Sequence, residues 1–254
     1  MINVTPTGQA CGAVVTGVDL SQPLDDAEIA AIRAAWLEHH VLSFPDQNMS
    51  DEALERFTLY FGPFGDDPFI APIEGHNHII AIERAADEEA PVFAEVWHTD
   101  WSFQEFPPDG TCLYGIKIPP VGGDTLFINQ HKVLAEMPDT LRQRLEGLTA
   151  IHSARAGYSK EGAYGENETT EKMTMTFLPS DEAKATQTHP LIRPHPETGE
   201  MTVFGTFGYI IGIEGMADEE ARNLLMELYT IKRRSSFNIA INGRLAHCLC
   251  GIIG

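Results

Sequence analysis

Through most of this 254-residue chain, apolar and polar positions alternate over short stretches, and few segments carry helical spacing. Residues 13–18 (Ala-Val-Val-Thr-Gly-Val) predict a strand. Asp25 and Asp26 then open an amphipathic helix to about His39, because carboxylates suit a first turn. Residues 41–44 (Val-Leu-Ser-Phe) read as a buried strand, ended by the turn chemistry of Pro45-Asp46-Gln47-Asn48. Ser50 suits the N-cap of a second helix, with Asp51 and Glu52 in its first turn, reaching about Tyr60 before Gly62 stops it. Short strands follow at 79–82, 110–118 and 125–128. One helix comes after them, with Pro138 in its first turn and Asp139 favouring its N-terminus. The polar stretch 157–185 reads as a loop or lid. Strands resume at 190–193 and 201–204, and a helix runs from Asp218 to about Tyr229. Without repeats or a dividing linker, residues 1–254 read as one domain. Many short strands, Gly/Pro turns and few helices favour a jelly roll of about eight strands.

Composition narrows the partners. A hydrophobic content of 43% supports a real core. The formal net charge is −20, from 37 acidic residues against 17 Lys and Arg. That surface repels phosphate backbones and anionic lipid, which argues against nucleic-acid and membrane partners. It leaves open a small anionic substrate held by a few local cations. Met1-Ile2-Asn3-Val4 shows neither the basic region nor the apolar run of a signal peptide. Cys11 and Cys112 have no disulfide or zinc spacing. The expectation is a soluble, reduced, cytoplasmic protein, with assembly into a homo-oligomer left open.

The segment Trp97-His98-Thr99-Asp100-Trp101 carries the first candidate chemistry. On a regular strand, His98 and Asp100 share one face and can offer an imidazole nitrogen and a carboxylate oxygen to one metal. With a second, distant histidine they would form the two-histidine, one-carboxylate face of non-haem Fe(II) oxygenases. By spacing alone, a surface histidine beside an unrelated turn aspartate fits equally well. Trp97 and Trp101-Ser102-Phe103 would supply apolar walls. Gly122-Gly123-Asp124-Thr125 reads as a tight turn entering a strand, where Thr125 either meets a carboxylate or caps the turn. In residues 188–199, Arg193 either lines an anion pocket or belongs to a rigid hairpin turning at Glu197-Thr198-Gly199. His39, His40, His76 and His78 lack ligand-like spacing.

Together these segments resemble the taurine dioxygenase family of Fe(II)- and 2-oxoglutarate-dependent oxygenases, from Gly12 to about Tyr229. The likeness also rests on Gly17-Val18-Asp19-Leu20, Phe44-Pro45-Asp46-Gln47, His189-Pro190-Leu191 and His195-Pro196-Glu197-Thr198-Gly199. The resemblance implies a mainly-β, cupin-like double-stranded β-helix with flanking helices. It implies His98 and Asp100 as iron ligands and the catalytic pair, Thr125 as a 2-oxoglutarate contact and Phe207 as an aromatic wall of the substrate pocket. The implied reaction spends O2 and 2-oxoglutarate to hydroxylate a small, anionic organic substrate, releasing succinate and CO2. Ala94 and Asp67 fall about where taurine-using members place a polar amide and a histidine for the sulfonate. A carboxylate there would repel a sulfonate, which argues against taurine itself.

The tail departs from the family. Members carry an aromatic-basic strand ending in Trp, then Trp-Asp-Asn-Arg, the second histidine ligand and an Arg for the 2-oxoglutarate C5 carboxylate. Here the chain reads Ser236-Phe237-Asn238-Ile239-Ala240-Ile241-Asn242-Gly243-Arg244-Leu245-Ala246-His247. Regrouped from the third base of the Phe237 codon, the codons through Gly243 permit Gln-Tyr-Arg-His-Lys-Trp. In the same frame, residues 250–254 permit Trp-Asp-Asn-Arg. The expectation is a reading frame that slipped between Tyr229 and Phe237, making 230–254 an aberrant tail. The barrel would then lack its last strands, the second histidine and the carboxylate-binding Arg, and turnover would be impaired. A non-catalytic fragment or pseudoenzyme that binds ligand without turnover is the alternative. Whether His247 serves as a third metal ligand stays open.

Overall fold

A capping box sets the first helix. The computed structural model describes residues 2–241 and 248–252. It opens with β1 (Asn3–Pro6) and β2 (Ala13–Thr16), then α1 (Asp26–His39) and β3 (Val41–Phe44). The Asp25 carboxylate accepts from Glu28 N and the Glu28 carboxylate from Asp25 N, which satisfies two otherwise orphaned donors. Ile32, Ala35 and Trp36 turn inward against Leu42 and Phe44 of β3. Ser50 caps α2 (Asp51–Leu59), as the sequence predicts, and Phe57 meets Phe44 edge-on at 5.5 Å.

β4 (Gly110–Tyr114), β5 (Thr125–Ile128), α3 (Gln130–Glu136), α4 (Asp139–Leu145), β6 (Thr149–His152) and α5 (Arg155–Tyr158) follow. The helix expected around Pro138 is two helices. Asn129 caps α3, and Pro138, which has no N–H to extend it, becomes the N-cap of α4. Then come β7 (Gln187–Pro190), β8 (Ile192–Pro194), β9 (Met201–Val203), β10 (Ile210–Ile213), α6 (Asp218–Lys232), β11 (Asn238–Ile241) and β12 (Cys248–Ile252). One sheet has the order β1-β2-β3-β12-β4 and a second β10-β6-β7; β11 pairs with β5 and β8 with β9. Only the β2–β3 ladder is parallel among these. A second core joins α3, α4, α6 and the β6 sheet through Val133, Leu141, Leu145, Leu224, Leu228 and Phe237. No helix among the described residues is long and apolar enough to cross a membrane.

Three expectations change. Residues 79–82 form no strand: Ile80 packs sideways on an aromatic cluster, while Ile82 is exposed with no partner strand. The stretch 157–185 is packed, with Met175, Phe177 and Ala183 buried and Phe177 bridging to Ile70. The tail, expected to be aberrant, nevertheless forms two strands, β11 and β12. Asn238-Ile239-Ala240-Ile241 alternates outward and inward, which suffices for a half-buried strand whatever its origin. Residues 242–247, His247 among them, lie outside the described residues.

Lys232 sits badly in this core. It is 1% exposed, and its Nζ donates to Gly205 O at 2.7 Å. Burial pulls its pKa down to about 7. Its electrostatic neighbour His152 is lowered to about 3, by burial first and then by the charges of His189, Arg193 and Lys232. An unfolded lysine titrates at about 10.4, so between about 7 and that value the unfolded chain binds more protons. Stability therefore rises with pH through this window. Lys232→Met is expected to raise stability at pH 7 by on the order of 2 kcal/mol and to flatten that rise. Urea midpoints across the window check this; an unchanged slope would contradict it.

Candidate metal centre

His98 and Asp100 come together where an extended segment runs into a turn, not on the strand expected from the sequence. Ser102 N donates to Thr99 O at 3.3 Å and Gln104 N to Trp101 O at 2.8 Å, so the chain curls immediately after Asp100. Beside this curl, His98 Nε2 lies 3.0 Å from Asp100 Oδ1. The two side chains remain 29% and 34% exposed, which leaves the pair open on one side.

Each partner is held from behind. His98 Nδ1 lies 2.8 Å from Val96 O. A carbonyl only accepts, so Nδ1 carries the proton and Nε2 is the ring atom turned to Asp100. Thr111 Oγ1, on β4, donates to Asp100 Oδ2 at 2.6 Å and leaves Oδ1 for His98. Burial works against a charged His98, but the hydrogen bond and charge of Asp100 and the Val96 carbonyl outweigh it, and its pKa rises. Burial likewise opposes the Asp100 carboxylate, but the hydrogen bond and charge of His98, helped by Thr111, hold its pKa down.

The geometry fits a metal ion. Two ligands with bonds of about 2.1 Å at adjacent corners of an octahedron lie roughly 3 Å apart, close to the separation of His98 Nε2 and Asp100 Oδ1. With Nδ1 protonated, the Nε2 lone pair and the Asp100 carboxylate face each other, and a cation between them would satisfy both. Among the described residues, no group of three or more His, Cys, Asp or Glu side chains is placed to hold a metal. The pair offers two ligands.

The segment after β9 backs the pair. Thr206 Oγ1 and Gly208 N both donate to Trp97 O, at 2.7 and 3.2 Å. Phe207, between them, is half-buried; its ring meets Tyr229 of α6 edge-on at 5.3 Å and packs on the second core. The Tyr209 ring stands edge-on to His98, with centroids 6.1 Å apart, and touches Phe103, which in turn adjoins Phe69. The phenols of Tyr209 and Tyr158 share a hydrogen bond, and burial keeps both protonated. Thr125 opens β5 after a turn in which Gly122 and Gly123 both have left-handed φ, and it pairs with Ile241. Among the described residues it makes no hydrogen bond to His98 or Asp100. Arg193 lies with its guanidinium 3.4 Å from the Phe204 ring centroid, within the hairpin of β8 and β9. Val96, Thr111, Gly208 and Tyr209 carry no motif and could not be singled out from the sequence.

The sequence model of the taurine catabolism dioxygenase TauD, TfdA family matches residues 3–242. The chain belongs to this family. It is 31% identical over 222 residues to an alkylsulfatase of Acinetobacter baylyi, covering 86% of this chain and 68% of the relative. It is 30% identical over 200 residues to an alpha-ketoglutarate-dependent sulfate ester dioxygenase of Pseudomonas putida, covering 78% and 64%. The chain thus spans about two thirds of the length of these curated relatives. A crystal structure of a taurine dioxygenase from Burkholderia xenovorans superposes with a TM-score of 0.77 at 28% identity, covering 99% of this chain and 80% of that one. The fold is therefore the mainly-β, cupin-like jelly roll with flanking helices expected from the sequence, and the family uses Fe(II) and 2-oxoglutarate.

Gly208 tests how tightly the pair is backed. A Cβ there would lie 2.8 Å from His98 Cβ and 2.9 Å from Trp97 O. Gly208→Ala is expected to destabilise the protein by about 1–3 kcal/mol, read as a lower unfolding midpoint. An unchanged midpoint would show that the segment yields freely.

Proposed function

We propose that this chain derives from an Fe(II)- and 2-oxoglutarate-dependent dioxygenase that hydroxylates a small organic anion and releases succinate and CO2. The observation that carries this reading is the 3.0 Å approach of His98 Nε2 to Asp100 Oδ1, each fixed from behind by one hydrogen bond. In this reading His98 and Asp100 are the metal ligands, Thr125 contacts 2-oxoglutarate and Phe207 lines the substrate pocket. Bound iron with 2-oxoglutarate and O2 supplies the oxidising power. The chain's own residues orient the ligands, with the Phe103 and Tyr209 rings restricting water on one flank. The relative named for sulfate esters supports an anionic substrate.

The tail qualifies the activity. We infer that the reading frame slips between Tyr229 and Phe237, so that the second histidine and the carboxylate-binding Arg are lost. Two protein ligands hold Fe(II) more weakly than three, and 2-oxoglutarate loses its main charge partner. A ligand-binding protein without turnover is the second reading, favoured by the two-ligand set among the described residues.

Nucleotides from codon 229 onward decide the frame; a stop before Trp-Asp-Asn-Arg, or its absence, would refute the slip. With the frame restored, anaerobic Fe(II) plus 2-oxoglutarate should give the visible chelate band, and sulfate-ester or sulfonate candidates should drive succinate release. The chain as written should give little of either. Equal activity of the two forms would overturn the impairment, and silence of both would favour binding without turnover.

A further inference from the structure

Asp67 was expected to face the substrate, yet its carboxylate is engaged elsewhere. Oδ1 accepts from Phe69 N at 2.8 Å and Ile70 N at 3.1 Å, and Oδ2 accepts from Trp101 Nε1 at 3.1 Å. Three donors on one carboxylate leave it little capacity to meet a ligand. Trp101 directly follows Asp100 and has φ 47°, the left-handed region that a bulky side chain rarely occupies. Such a backbone persists only where its surroundings hold it.

The surroundings do so from the 64–67 segment. A Cβ on Gly65 would lie 2.5 Å from Trp101 Cζ3, so the indole rests directly on that backbone. Gln104 Nε2 donates to Asp66 O at 3.0 Å and fastens the far end of the same turn. The indole thus has a shelf below it at Gly65 and a fixed acceptor at its N–H. The indole is held at two points, on the residue that directly follows Asp100.

We infer that Asp67 is a positioning residue that acts through the Trp101 indole to hold Asp100 at the metal, not a residue that meets the substrate. The inference rests on reading His98 and Asp100 as metal ligands. It also removes the argument against taurine drawn from Asp67, because this carboxylate is turned into its own loop. Trp101→Phe removes the N–H and keeps an apolar ring on Gly65, whereas Asp67→Ala removes the acceptor.

The test is Mn2+ binding to the full chain, followed by loss of the free-ion electron paramagnetic resonance signal, well below each variant's unfolding midpoint. Asp67→Ala and Trp101→Phe should each weaken Mn2+ by about tenfold, the usual scale for a group that orients a ligand. Because both remove the Trp101–Asp67 hydrogen bond, the double variant should bind no more weakly than Asp67→Ala alone. A merely structural role would lower the midpoint without this overlap. Wild-type affinity in both single variants, or additive losses, would overturn the inference while His98→Ala and Asp100→Ala still abolish binding. If those ligand variants bind Mn2+ like the wild type, the metal reading fails and takes this inference with it. Should Asp67→Ala not fold, Trp101→Phe alone decides: unchanged affinity overturns the inference and a tenfold loss supports it.

Discussion

The close approach of His98 and Asp100 is the constraint on which the rest of the site depends. Residues two apart on a straight strand share one face. Here the chain turns from Thr99 through Trp101, and His98 Nε2 and Asp100 Oδ1 meet at 3.0 Å. A curl that places a tryptophan in the left-handed region is unfavourable by itself, so other parts of the fold must hold it. Gly65 and Asp67 hold the indole, Thr111 on β4 holds the carboxylate, and Gly208 after β9 closes on the His98 backbone. Segments distant in sequence thus converge on four consecutive residues.

Electrostatics inside the molecule run against its surface. The chain carries a net charge of −20, yet inside it His152 feels the positive charges of Arg193 and Lys232, and His189 that of Arg193. Each imidazole responds by staying neutral: burial lowers both, and the neighbouring cations lower them further. Lysine has a much higher starting pKa, so the same burial leaves Lys232 near neutrality only at the edge of its range. The histidines are adapted to being neutral inside a protein; the lysine is not. This difference separates a tolerated polar core from a strained one.

Much of the architecture was legible because local signals are strong where caps and alternation coincide. Asp25, Ser50 and the apolar run 41–44 specify their elements within a residue or so, since each satisfies backbone donors or fills a core directly. The short pieces β6 and β10 escaped notice because four residues of mixed polarity carry too little pattern. The site divides the same way. His98 and Asp100 stand in a motif, and their chemistry is readable from residue type. Thr111, Gly208 and the Trp101 curl are readable only in space, because their roles depend on partners from 11 to more than 100 residues away. Asp67 was legible as a residue of interest but not in its direction, since hydrogen-bond partners two and three residues on decide where a carboxylate points.

The tail shows why a fitted backbone is weaker evidence than a fitted side chain. Any stretch that alternates like Asn238-Ile239-Ala240-Ile241 can pair with β5, because strand pairing uses the main chain, common to all residues, and asks only that one face be apolar. β12 likewise runs between β3 and β4 in continuous antiparallel register. A sequence read out of frame can therefore still contribute strands, so β11 and β12 do not contradict the proposed slip. Chemistry is less forgiving. A metal needs a particular nitrogen at a particular place, and a carboxylate of 2-oxoglutarate needs a particular cation. Backbone pairing supplies neither, so folding and catalysis can part company at the same residues.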